Sequence, residues 1–244
     1  MFKDQVVMVT GAAAGIGLAV VKKFASEGAD ICMCDLNSNA LASLHEEIVQ
    51  LYNTQCMWEG LDVSDHKSVK SFVDNAYEKF SHIDVLVNCA GIFNKKDFFK
   101  LTIEEWYQMI AIHLHGTFLF TYYVSNYMKN KNKGCIINIG STSGISGGTS
   151  GCHYAAAKGG VIAFTKSVGK ELAPYGIHVN AVAPSKIKTN MLQFKTSEEE
   201  KSLIEKIPAR RLGTPEEIAS IIAFLASNEA DYIVGEVIVA SGGY

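Results

Sequence analysis

Short apolar runs recur along the chain, and between them apolar side chains return every three to four positions. The runs are Gln5–Thr10, Ala29–Asp35, Gln55–Glu59, Ile83–Asn88, Cys135–Gly140, Ile177–Val182 and Val234–Ala240. They are apolar at successive positions instead of alternate ones, the pattern of parallel strands covered on both faces. Helical patterns lie between them at Ile16–Glu27, Asn39–Tyr52, Lys67–Phe80, Ile103–Lys129, Tyr154–Ala173 and Pro215–Ser227. In the second of these, Leu41, Leu44, Ile48 and Leu51 form one stripe. Thr102-Ile103-Glu104-Glu105 reads as a capping box, and Thr214-Pro215-Glu216-Glu217 puts a proline at a first helical position. The alternation predicts an α/β fold: a doubly wound, seven-stranded parallel sheet with helices on both faces. No linker or repeat interrupts it, so residues 1–244 read as one domain. Residues 184–213 stand outside the alternation as an insertion with a short helix near Glu198–Lys206, and such insertions are commonly lids or binding loops.

The chain has 244 residues, 48% hydrophobic and 19% charged, too apolar for a disordered protein. Its 22 Lys and Arg against 25 Asp and Glu leave a net charge of −3, with no basic excess for nucleic acid. Six cysteines include no C-x-x-C pair, and Cys32 and Cys34 share one face of a strand as small hydrophobes. The charge-free stretch from Met109 to Met128 approaches the roughly 20-residue length of a membrane span. His113, His115, Gly116, Thr117, Thr121, Ser125 and Asn126 interrupt it, so it reads as a buried or interface helix instead. The opening Met1-Phe2-Lys3-Asp4-Gln5 leads into a strand, not an apolar leader, and a cytoplasmic location is expected.

The first strand ends in Thr10-Gly11-Ala12-Ala13-Ala14-Gly15-Ile16-Gly17, directly before a helix. Glycines at a strand-to-helix turn let backbone approach a pyrophosphate, and the helix N-terminus supplies free N–H groups. The second strand ends at Asp35, where a carboxylate accepts hydrogen bonds from adenosine ribose hydroxyls and repels a 2′-phosphate. Neither Ala14 nor Leu36 is basic, so the sequence favours NAD over NADP.

Ser141 follows the fifth strand, and Tyr154 and Lys158 are placed i, i+4 on the next helix. With the Gly11/Gly15/Gly17 turn, Asp62-Val63, Asn88-Cys89-Ala90-Gly91 and Asn180 before Ala183-Pro184, the chain resembles the short-chain dehydrogenase/reductase family throughout its length. The resemblance implies a Rossmann-type sheet and hydride exchange between a nicotinamide and a secondary alcohol or ketone. A tyrosine ordinarily titrates near pH 10. A nearby ammonium and a positive nicotinamide ring would lower it, making Tyr154 the general acid/base. The resemblance assigns Lys158 to that ammonium and to the nicotinamide ribose, and Ser141 to the substrate oxygen. It also assigns Ile16, Leu36, Asp62, Val63, Asn88, Ala90, Gly91, Pro184, Ile187 and Thr189 to the cofactor groove, and no metal.

Three positions depart from the family pattern. His113 replaces the asparagine of an Asn-x-x-Gly motif that positions a water in a proton relay, and a histidine there is expected either to make the relay pH-sensitive or simply to fill the site. Ser185 stands where Pro-Gly is usual, and Ser241 where an aspartate is usual. The substrate loops supply Ile92, Phe93, Ser143, Gly148, Cys152, His153, Met191, Leu192 and Phe194, with Lys186 and Lys188 as mobile cations. Such a set suits a small molecule with a polar focus on a hydrophobic body. Ile207-Pro208-Ala209-Arg210-Arg211-Leu212-Gly213-Thr214-Pro215-Glu216-Glu217 is similar to the NADPH-dependent 3-oxoacyl carrier-protein reductase branch, which stays open as an alternative, as does a non-catalytic nucleotide sensor. The family implies a homotetramer, for which Tyr122, Tyr123 and Tyr127 are suitable interface residues.

Overall fold

In the computed structural model the described residues are 1–148, 150–192, 194 and 196–244. One parallel sheet of seven strands runs through the protein: β1 (Val6–Thr10), β2 (Asp30–Asp35), β3 (Cys56–Gly60), β4 (Val85–Asn88), β5 (Gly134–Ile139), β6 (Ile177–Pro184) and β7 (Val237–Ala240). Their spatial order is β3-β2-β1-β4-β5-β6-β7, so the winding reverses between β1 and β4. Register there pairs Val7 with Val85 and Thr10 with Asn88. Every side chain of β1 and β4 is buried, because helices cover both faces.

The helices are α1 (Gly15–Ser26), α2 (Ser38–Tyr52), α3 (His66–Phe80), α4 (Ile103–Ile110), α5 (Gly116–Lys131), α6 (Thr142–Ser146), α7 (Cys152–Leu172), α8 (Ser197–Lys206) and α9 (Pro215–Ala226). One apolar core packs α1, α2 and α9 onto the sheet through Val20, Phe24, Leu41, Ile48 and Ile222. The other packs α3 and α5 through Val69, Phe72, Phe120 and Val124. Capping boxes start α4 at Thr102/Glu105 and α9 at Thr214/Glu217, as the sequence predicts. Cys32 and Cys34 are fully buried on β2, and burial pushes both thiols up. No helix among the described residues is long and apolar enough to cross a membrane.

The helix predicted over Ile103–Lys129 is not continuous. A π-helical turn, Ala111–His115, separates α4 from α5. The Thr117 hydroxyl donates to the His113 carbonyl at 2.7 Å, satisfying a group that the wider turn frees from its usual ladder. The short α6 was not expected; Ser141 caps it by accepting the Ser143 N–H.

Candidate active site

A cleft of about 630 Å³ opens at the carboxyl ends of the strands, where the winding reverses and ligands of open α/β sheets bind. Its floor is fixed by backbone contacts. The Thr10 hydroxyl accepts the N–H groups of Cys89 and Ala90 at 3.0 and 3.1 Å, tying the end of β1 to the loop after β4. Gly11 has φ +64°, and a Cβ there would lie 2.6 Å from Ala90 Cα. A Cβ on Gly17 would lie 2.0 Å from the Gly11 carbonyl oxygen. The Ala14 side chain makes no capping bond, so the first-turn N–H groups of α1 face the cleft without a side-chain acceptor. Turn, helix end and close strand approach fit the pyrophosphate of a dinucleotide.

Asp35 closes one end. Its Oδ2 accepts the Ala13 N–H at 3.1 Å and its Oδ1 the Asn37 N–H at 3.0 Å. The carboxylate thus holds the glycine turn while lining the cleft beside Leu36, Asp62 and Val63. Gly11, Ala14, Gly15, Ile16, Gly17, Ala90, Gly91, Pro184, Ile187 and Thr189 line the same cleft. Asn88 does not. Its Nδ2 donates to Thr121 Oγ1 and Asn138 Oδ1, so it supports the floor from below and offers a cofactor no side chain.

At the other end, α7 carries Tyr154 and Lys158 one turn apart and Ser141 comes from the end of β5. Ser141 hydrogen-bonds Tyr154, and that bond favours the phenolate. Burial outweighs it and raises the Tyr154 hydroxyl above its ordinary value. Lys158 is not among the groups that lower it. Lys158 is itself buried, held down to about 8 by desolvation, and its Nζ donates to the Ile139 carbonyl at 2.6 Å.

Two rings bracket Tyr154. Phe93 meets it edge-on at 5.3 Å and His113 at 5.4 Å. His113 Nε2 lies 2.8 Å from the Ile92 carbonyl and 3.1 Å from the Ile92 N–H, so either neutral tautomer binds this residue through one of the two. Burial and the Lys158 charge hold the imidazole down to about 3. That shift runs against a relay titrating near neutrality and favours the alternative, a neutral imidazole that fills the site.

A protein-family model described as enoyl-(acyl carrier protein) reductase matches residues 11–244. The chain is 40% identical to a 3-oxoacyl-[acyl-carrier-protein] reductase of Thermotoga maritima over 99% of its length and 98% of the relative's. It is 33% identical to a meso-2,3-butanediol dehydrogenase of Serratia marcescens, covering 99% and 95% of the two chains. The chain belongs to the short-chain dehydrogenase/reductase family. Among solved structures it is similar to a levodione reductase, with a TM-score of 0.95, 32% identity and 100% and 98% coverage. It is also similar to an NAD+-bound xylitol dehydrogenase, with a TM-score of 0.91, 29% identity and 99% coverage of both chains. The protein is thus an oxidoreductase of a family that works with a nicotinamide cofactor.

On the substrate side of this oxidoreductase, Phe93, Ser143 and Met191 line the cleft. His153 does not: it is fully buried and its Nε2 contacts the Asn94 carbonyl at 2.9 Å. It precedes Tyr154 by one residue, about 100° around the helix, and so does not share its face. Phe194 is half-buried outside the cleft lining. Gly148 and Cys152 lie in a separate shallow depression with Lys95 and Lys96. Sequence reasoning missed Ser150 and Asn190, which do line the cleft, and treated Lys186 as mobile although it forms part of the wall.

Proposed function

We propose that this protein is an NAD-dependent oxidoreductase that interconverts a secondary alcohol and a ketone on a small hydrophobic substrate. The observation that carries this reading is the Asp35 carboxylate at the ribose end of the cleft that also holds Ser141, Tyr154 and Lys158. A bound nicotinamide would supply or accept the hydride. The remaining work falls to this chain's side chains. The Ser141 hydroxyl donates to the substrate oxygen and stabilises charge developing there. Tyr154 gives that oxygen its proton in reduction and takes it back in oxidation. Burial keeps Tyr154 protonated, which suits reduction; oxidation needs the anion and is favoured by rising pH.

The choice of NAD rests on electrostatics. Two unit charges about 4 Å apart repel by about 4 kcal/mol at an effective dielectric near 20. A 2′-phosphate beside Asp35 would meet that penalty. Among the described residues the cleft-lining cations are Lys158, bonded to Ile139, and Lys186, which follows β6 on the substrate side, while Asp35 is followed by Leu36. The relative named as a 3-oxoacyl-[acyl-carrier-protein] reductase supports a second reading, a 3-oxoacyl thioester reductase using NADPH. Cytoplasmic location and assembly into homotetramers belong to the proposal and are checked by light scattering and fractionation. The deciding assay follows NADH and NADPH consumption with steroid, diketone, keto-sugar and 3-oxoacyl thioester substrates, with Tyr154→Phe as the blank. NADH turnover that vanishes in the blank supports the proposal. Turnover confined to NADPH and thioesters replaces it with the second reading.

A further inference from the structure

The walls of the cleft divide by charge. The acids that line it, Asp35 and Asp62, belong to β2 and the loop after β3. On the substrate side no carboxylate lines the cleft among the described residues, and Lys186 does. Lys186 is not on a free loop. Its carbonyl accepts the Gly213 N–H at 3.0 Å, the Lys188 N–H donates to the Gly213 carbonyl at 2.9 Å, and the Ser185 N–H donates to Ala240 at 3.0 Å. The backbone on both sides of the side chain is therefore pinned to neighbouring segments.

The ammonium is half-buried and forms no ion pair with a carboxylate among the described residues. Its neighbour is the face of the Tyr244 ring, 5.3 Å from Nζ to centroid. Burial and the charge of Lys95 both hold it below the usual lysine range, so a second cation approaches the same mouth. Beside it, Ser185 lines the cleft, and its hydroxyl oxygen is buried without a hydrogen-bond partner among the described residues. A half-buried ammonium without a carboxylate partner among the described residues, next to an unpartnered hydroxyl, suits an anion.

We propose that Lys186, assisted by Ser185 and Lys95, binds a carboxylate on the substrate, so that the substrate class is hydrophobic keto or hydroxy acids. This rests on the oxidoreductase reading and narrows its substrate. The carboxylate sits at Lys186 while the carbonyl reaches Ser141 and Tyr154, and the apolar chain between them lies along Phe93 and Met191. Lys186 would act on specificity, by holding one end of the substrate.

The test compares methyl-ketone fatty acids of graded chain length with their methyl esters, in the parent, Lys186→Met and Lys186→Arg. The expected result is at least a tenfold preference in kcat/KM for the acid at one chain length. Lys186→Met removes it through a raised KM for the acid, Lys186→Arg retains it, and added salt weakens it. Equal treatment of acid and ester at every length, or a preference that survives in Lys186→Met, overturns the inference. A preference for pantetheine-phosphate thioesters over their dephosphorylated forms, with none for the acids, overturns the carboxylate assignment in favour of a phosphate. Calorimetry with decanoate and 1-decanol, run without turnover, separates the two readings. Decanoate binding lost in Lys186→Met, with no ketone reduced, keeps the site and removes the oxidoreductase reading. Ketones reduced without discrimination, with decanoate binding no better than decanol, removes the site alone.

Discussion

The rings of His113 and Tyr154 meet edge to face, with centroids 5.4 Å apart and planes at 88°. The contact sets the tyrosine in its groove with a neutral imidazole, since burial holds His113 down to about 3. Unfolded, the same histidine titrates near 6.5. Between those values the unfolded chain binds more protons than the folded one, so this contribution to stability is intact above pH 6.5 and is lost as pH falls toward 3. Asn at this position has no such term. The stability of the parent relative to His113→Asn should therefore fall by up to about 1.4 kcal/mol per pH unit below 6.5, read from urea melts at stepped pH. A gap that stays constant from pH 7 to 5 would show that His113 takes up its proton in the fold as readily as in the unfolded chain. The kcat/KM profiles of the two proteins should share their inflections near neutrality.

Removing the Tyr154 hydroxyl leaves the ring, and with it the contacts to Phe93 and His113. Tyr154→Phe should lower kcat about 10²–10⁴-fold, the usual contribution of a positioned acid/base. Nucleotide binding, followed by fluorescence titration, should change little. A variant with parental kcat would move the proton transfer to another group.

Asp35 has two tasks, repelling a 2′-phosphate and accepting the Ala13 and Asn37 N–H groups. Asp35→Asn removes the charge and keeps one acceptor. Its NADP to NAD ratio of kcat/KM should rise at least tenfold, given about 4 kcal/mol of repulsion at close range. Asp35→Ala should show the same shift and also lose about 1–3 kcal/mol of stability from the abandoned N–H groups. An unchanged ratio in both variants would remove Asp35 from cofactor choice.

Asn180 is fully buried on β6. Its Nδ2 donates to the Ile233 carbonyl at 2.6 Å and its Oδ1 accepts the Glu236 N–H at 3.0 Å. One side chain thereby fastens the segment leading into β7. Asn180→Ala strands both groups, each worth about 1–3 kcal/mol, so a loss of roughly 2–6 kcal/mol is expected in a denaturant melt. Asn180→Asp keeps one acceptor and should fall between.

The strands were legible because parallel strands under two helical layers are apolar at nearly every position; β4 reads Val85-Leu86-Val87 before Asn88. Helix starts at Thr102 and Thr214 were legible because capping is local. The π turn at Ala111–His115 was not, since the apolar spacing continues across it and only the tertiary site demands the wider turn. Asn88 and His153 sit in the right segments but face the interior, directions fixed by strand alternation and helix rotation. Lys186 could be named from sequence, yet its place in the wall depends on pairing with Gly213 and Ala240, distant partners that no local pattern discloses.

The glycine turn also sets where this protein can diversify. Gly11, Gly17 and Ala90 interlock through backbone atoms, so a single methyl group at either glycine collides with main chain that cannot yield. A side chain at either glycine therefore requires that main chain to move first. Lys186 and Met191 line the opposite wall, where no such main-chain clash is set. The site thus has two parts of different tolerance, a cradle set by main-chain contact and a rim set by individual residues. Libraries seeking new substrates should be confined to that rim.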